Sequence, residues 1–168
     1  MNPKITQLKK QIQWIMLFFM VALVISGATA IPVHRELKFL LANLPVDAII
    51  YPWLQKVFAA LDTTEISFPF LLYGYDWLAF AHFVIAIAFI GPLRNPVKNI
   101  WVLEFGMIAC ALILPYAFAF CTLRGIPYWW ALIDCSFGVF GFIPLWICHR
   151  KAKQLERLLD NEKLNLVF

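Results

Sequence analysis

Four long apolar stretches, separated by short polar or proline-containing breaks, dominate the pattern of the chain. The first is uncharged over 14–33, about 20 residues, which suits a hydrocarbon core of roughly 30 Å at 1.5 Å per helical residue. The second covers about 70–93, the third about 99–121 and the fourth about 128–148. Pro115 and Pro144 fall inside the last two, where a membrane helix tolerates proline because neighbouring groups satisfy the freed carbonyls. The pattern predicts an all-α polytopic membrane protein, a single transmembrane domain over 1–168 with four transmembrane helices forming a bundle.

Two polar pieces complete the plan. Residues 34–67 read as an outer amphipathic segment, with short helices over 35–43 and 53–61 set off by Pro45 and Pro52. In the second helix Trp53, Val57, Ala60 and Leu61 form one stripe, while Gln55, Lys56 and Asp62 lie off it. Such a segment lies in the interface or lids a cavity below it. Residues 149–168 form a polar helical tail that continues the fourth span, with Leu155, Leu158 and Leu159 available to a membrane-protein partner.

Composition agrees with this reading. The 168 residues are 62% hydrophobic and only 14% charged, where soluble domains run near 25% charged. The four cysteines (Cys110, Cys121, Cys135 and Cys148) all fall in apolar stretches without a C-x-x-C pair, which argues against thiol exchange and structural zinc.

Charge sets orientation. Lys4, Lys9, Lys10, Arg94, Lys98, Arg150, Lys151, Lys153, Arg157 and Lys163 fall on one side, against Arg35, Lys38, Lys56 and Arg124 on the other. The positive-inside rule then predicts a bacterial-type inner membrane protein, multi-pass, with both termini cytoplasmic. Membrane lipid headgroups account for the basic residues, and no nucleic acid partner is expected. Ala28-Thr29-Ala30 after an apolar run also fits a cleavable signal peptide; continuation through Ile31 and Val33, with Pro32 beside the cut, favours an uncleaved first span.

The candidate chemistry lies in three ionisable residues inside spans: Asp76, His82 and Asp134. A charge at mid-bilayer costs roughly 2.5–3.5 kcal/mol on insertion scales, so each needs a partner, a cavity or a function. By depth Asp76 and Asp134 share the outer third of the bilayer with His34, Arg35, Tyr73 and Arg124, whereas His82 sits deeper. Gly138 and Gly141 share a helical face with Asp134 and mark a close helix approach. Glu104 is expected to reach Lys98 or Arg150 near the inner boundary.

Three readings follow. The outward-facing polar pocket binds a lipid, quinone or other small amphiphile through His34, Arg35, Tyr73, His82 and Arg124, or acts on it. Alternatively, Asp76 and Asp134 pair with Arg35 and Arg124 in a structural or accessory subunit. In the third reading the two aspartates share a proton and activate water as a hydrolase dyad. In topology and size this last arrangement resembles lipoprotein signal peptidases, and ALIDCSFGVFG around Asp134 is loosely similar to such a helix. The asparagine-aspartate-arginine block of that family is absent before the last span, so membership is not assigned. No cofactor is expected. Haem is disfavoured because neither His34 nor His149 matches the depth of His82 as a second axial ligand.

Overall fold

The computed structural model describes residues 3–165, and among them the secondary structure is helical, with no strand. The chain runs through α1 (Pro3–Ala30), α2 (Val33–Asn43), α3 (Tyr51–Ser67), a 3₁₀ turn (Pro69–Leu72), α4 (Tyr73–Ala88), α5 (Ile90–Arg94), α6 (Ile100–Arg124) and α7 (Tyr128–Asn165). Four segments are long and apolar enough to cross a membrane: Pro3–Ala30, Pro69–Arg94, Ile100–Arg124 and Tyr128–Glu162. The all-α, multi-pass expectation is met. Residues 1–2 and 166–168, which the sequence assigns to the domain ends and the tail, lie outside the described residues.

The boundaries differ from the hydropathy pattern for local reasons. Helix α1 begins before the apolar run, because Lys4 and Lys9–Lys10 are good helix formers with nothing to break them. It ends at Ala30, since Pro32 has no N–H to continue the ladder. Helix α3 continues past Leu61 to Ser67 and stops only where Pro69 follows. The fourth span and the polar tail form one uninterrupted helix, as the sequence expects, with Pro144 inside it.

The chain forms two compact units, one made of the part through Met20 together with the part from Ile87 onward, the other of Val21–Ala86. In the first unit α6 and α7 pack along each other. Buried positions on α7 recur as Ala131, Cys135, Leu145, Cys148, Ala152 and Leu155, the three-and-four spacing of a single helical face. Opposite them α6 buries Leu103, Cys110, Ala117 and Cys121.

The close approach there depends on glycine. A Cβ on Gly138 would lie 2.7 Å from the Cys110 carbonyl oxygen, and one on Gly141 would lie 3.0 Å from Cys110 Sγ. Small residues let backbones meet where lipid supplies no hydrophobic drive for helix association. Ile5, Leu8, Ile12, Met16 and Phe19 form the buried stripe of α1, and Phe19 meets Phe89 edge-on at 4.9 Å. Cys148 Sγ faces the Ile12 carbonyl at 3.9 Å, and Lys151 Nζ donates to Gln11 Oε1 at 2.7 Å.

In the second unit α2 packs on α3 through Leu37, Leu54 and Leu61, the buried residues of the two helices. Helices α1 and α4 meet at Gly27, where a Cβ would lie 2.8 Å from His82 Cβ and 3.0 Å from the Ala79 carbonyl oxygen.

Candidate functional site

A cavity of about 330 Å³ opens within the Val21–Ala86 unit. It falls in the usual size range of small-molecule sites, roughly 300–1,000 Å³. Its position follows from two prolines. Pro32 ends α1 and turns the chain into α2, so His34 and Arg35 fall on the first turn of the new helix; the Glu36 N–H donates to the Pro32 carbonyl at 3.0 Å. Pro69 closes α3 and starts the 3₁₀ turn that delivers Tyr75 and Asp76 on the first turn of α4.

The lining divides by chemistry. His34, Arg35, Glu65, Tyr75 and Asp76 supply the polar groups, while Ile31, Pro32, Val33, Leu61 and Leu72 supply the apolar wall. Mixed walls of this kind suit a ligand with a charged head and an apolar body.

His34 is the most constrained polar group of the cavity. Its ring stacks on Phe58 with centroids 4.9 Å apart and planes 8° from parallel. Nδ1 lies 2.9 Å from Glu65 Oε2, at hydrogen-bond distance. Nε2 lies 3.3 Å from Asp62 Oδ1, within ion-pair range but off the direction of a hydrogen bond, so that nitrogen is buried without a true acceptor. Phe58, Asp62 and Glu65 are spaced i, i+4, i+7 on α3, which is why one face of that helix reaches the whole ring.

Arg35 and Asp76 line the same cavity without an ion pair within 4.0 Å between them. The Asp76–Arg35 pair expected of a purely structural role is therefore not formed. Tyr73 faces a neighbouring open depression of about 250 Å³ with Asp76, Trp77 and Phe80, and its ring meets Trp77 edge-on at 5.9 Å.

His82 takes no part in the cavity lining. It is half-buried against Gly27, and its Nδ1–H donates to the Leu78 carbonyl at 2.8 Å. That bond occupies one of its two ring nitrogens.

Asp134 and Arg124 belong to the other unit. Asp134 is half-buried on α7, and no ion pair within 4.0 Å joins it to Arg124, again unlike the structural expectation. Arg124 is the last residue of α6 and exposed. Gly125 follows at φ 64°, the left-handed cap that ends the helix, with the Ile126 N–H donating to the Cys121 carbonyl at 2.9 Å.

Glu104 departs from expectation too. Its Oε1 lies 3.0 Å from His149 Nε2, so it meets the residue before Arg150 rather than Arg150 or Lys98. Arg150 instead lies over the Trp146 ring at 4.2 Å. Among the described residues no group of three His, Cys, Asp or Glu side chains has the arrangement of a metal site.

Sequence reasoning missed Glu65, Asp62 and Phe58. The helix expected over 53–61 stopped short of Asp62 and Glu65, and the i, i+4, i+7 spacing appears only once α3 runs on to Ser67. Comparison with family profiles, with characterised proteins and with solved structures finds no match for this chain.

Proposed function

We propose that this multi-pass membrane protein binds a small amphiphile, a lipid with both a cationic and an anionic headgroup charge, in the cavity of the Val21–Ala86 unit. The carrying observation is the coexistence of unpaired Arg35 and Asp76, with Glu65, beside the apolar wall of Ile31, Val33, Leu61 and Leu72. Arg35 suits the phosphate of such a headgroup, since a guanidinium offers paired N–H donors to tetrahedral oxygens. Asp76 and Glu65 suit its ammonium. Opposite charges held apart on one cavity wall match a zwitterion better than a neutral quinone. Tyr75 adds a hydroxyl at the same level.

The membrane proposed is a bacterial-type inner membrane with both termini cytoplasmic, which puts the cavity at the outer face. Supporting this are the ten basic residues at the termini and the 94–98 turn against four elsewhere. Terminal fusions to a fluorescent protein and to alkaline phosphatase test the orientation. Fluorescent, phosphatase-inactive fusions at both ends are expected.

Binding is tested on the purified full chain by native mass spectrometry with phosphatidylethanolamine. Arg35→Gln and Asp76→Asn each remove one charge-assisted contact, worth about 1.5–3 kcal/mol, or roughly a 10- to 100-fold loss of affinity. Both side chains are exposed, so helicity by circular dichroism is expected to stay unchanged. Unchanged affinity in both variants overturns the proposal.

A further inference from the structure

The unit built from the chain through Met20 and from Ile87 onward holds a second pocket, smaller and differently charged. It encloses about 110 Å³ between Lys9 and Gln13 of α1, the turn after α5, and Leu155 and Leu159 of α7. That is the space of a few water molecules at about 30 Å³ each, enough for a tetrahedral oxyanion and too little for a folded segment.

Every polar side chain in its lining can donate a hydrogen bond. Lys9 and Arg94 are cationic, Gln13 and Asn95 are amides, and no carboxylate lines it. Neither Lys9 nor Arg94 has an acidic side chain within ion-pair distance among the described residues. The Asn95 side-chain oxygen accepts the Lys98 backbone N–H at 3.1 Å, and its NH₂ group can donate.

The rim is built rather than loose. Asn99 Nδ2 donates to the Gly91 carbonyl at 3.1 Å and to the Asn95 carbonyl at 2.8 Å, tying the turn back onto α5. A Cβ on Gly91 would lie 2.8 Å from Asn99 Oδ1, so a side chain there would make the Asn99 amide shift. Pro92 and Pro96 are buried on either side of Arg94 and stiffen the turn further.

We propose that this pocket is an anionic-phospholipid site that seats the headgroup phosphate between Lys9 and Arg94. Arg94 ends a membrane-spanning segment, which is where lipid phosphates lie, and Leu93, Val97 and Leu159 offer apolar surface beside the cations for the adjoining glycerol and chain. Basic pockets between span ends are recognised by anionic headgroups on charge and position together. This site shares no residue with the Val21–Ala86 cavity, so either can fail without the other.

The test uses the full chain in neutral detergent, with short-chain phosphatidylglycerol as the probe and phosphatidylcholine and inorganic phosphate as comparisons. Phosphatidylglycerol is expected to bind and to raise the melting temperature. Lys9→Gln and Arg94→Gln are each expected to weaken it about fivefold, and the double variant about 25-fold, in line with the usual worth of one basic residue at a membrane surface. Lys56→Gln, remote in sequence and outside the pocket, is the control and is expected to change nothing.

Equal binding of phosphatidylcholine, or equal loss in Lys56→Gln, overturns the site. Full competition by inorganic phosphate at millimolar concentration also overturns the lipid assignment, since the pocket would then read the oxyanion without its lipid. Lys9 and Arg94 are exposed, and circular dichroism of the variants checks that the helices persist.

Discussion

Gly27 allows the most direct test of the α1–α4 packing within the Val21–Ala86 unit. Replacing it with alanine adds one methyl group where the nearest atoms are His82 Cβ at 2.8 Å, the Ala79 carbonyl oxygen at 3.0 Å and Phe83 Cε1 at 3.1 Å. Carbon atoms in contact prefer about 3.5–4.0 Å, so the neighbours must retreat by roughly 1 Å. The Cβ and the carbonyl oxygen cannot swing aside as a flexible side-chain end would. The two helices themselves must part.

Overpacking of this kind costs about 1–3 kcal/mol, while alanine in place of glycine returns up to about 1 kcal/mol of helix propensity. Gly74→Ala isolates the second effect, because a Cβ at Gly74 on α4 meets nothing within 4 Å. The two variants should therefore differ by roughly 1–3 kcal/mol, with Gly27→Ala the less stable. Reversible unfolding in mixed micelles, titrated with sodium dodecyl sulfate and followed by tryptophan fluorescence, measures that difference. Midpoints that agree within about 0.5 kcal/mol would falsify the contact, because any real clash exceeds that margin.

Two further outcomes follow from the other unit. Leu145 is fully buried and its Cδ1 would lie 2.7 Å from a Cβ on Gly106, so Leu145→Ala is expected to lose about 2–5 kcal/mol in the same titration, while Ile143→Ala, half-exposed on the same helix, is expected to lose far less. If the two variants unfold alike, α7 does not present the face described. A double-mutant cycle on Glu104 and His149, 3.0 Å apart, should return a coupling of about 0.5–1.5 kcal/mol, with Glu104→Gln milder than Glu104→Ala because the amide oxygen still accepts. Strict additivity in the cycle would show that the contact contributes nothing.

Much of this architecture was legible in the chain. Apolar runs of spanning length leave few alternatives to membrane helices, because backbone groups in lipid must be satisfied within the segment. The prolines at 45 and 52 punctuate the intervening segment clearly enough to suggest separate helices. Of the polar residues singled out, His34, Arg35 and Asp76 do line one cavity, and Tyr73 faces the depression beside it.

What periodicity does not supply is which helix a given face will meet. The helix expected over 53–61 left Asp62 and Glu65 outside it, and nothing in the spacing says that a histidine from the preceding helix would stack on Phe58. Depth alone also misplaced the partner of Glu104. Residues one position apart on α7 differ by 100° in azimuth, so Arg150 turns to Trp146 while His149 turns to α6. The expected aspartate–arginine pairs rested on charge and level, and neither within-unit pair has the required proximity.

Helix α7 carries a mechanical consequence. Its 38 residues extend about 57 Å, nearly twice the roughly 30 Å of a hydrocarbon core. The buried stripe does not stop with the apolar part but continues through Ala152 and Leu155, so the helix is packed on both sides of Pro144. A polar tail on a flexible joint would isolate the bundle from forces applied beyond it. Here the tail and the Asp134-bearing segment are one continuous helix, so a load on the tail reaches the packed face of α7 without a joint between.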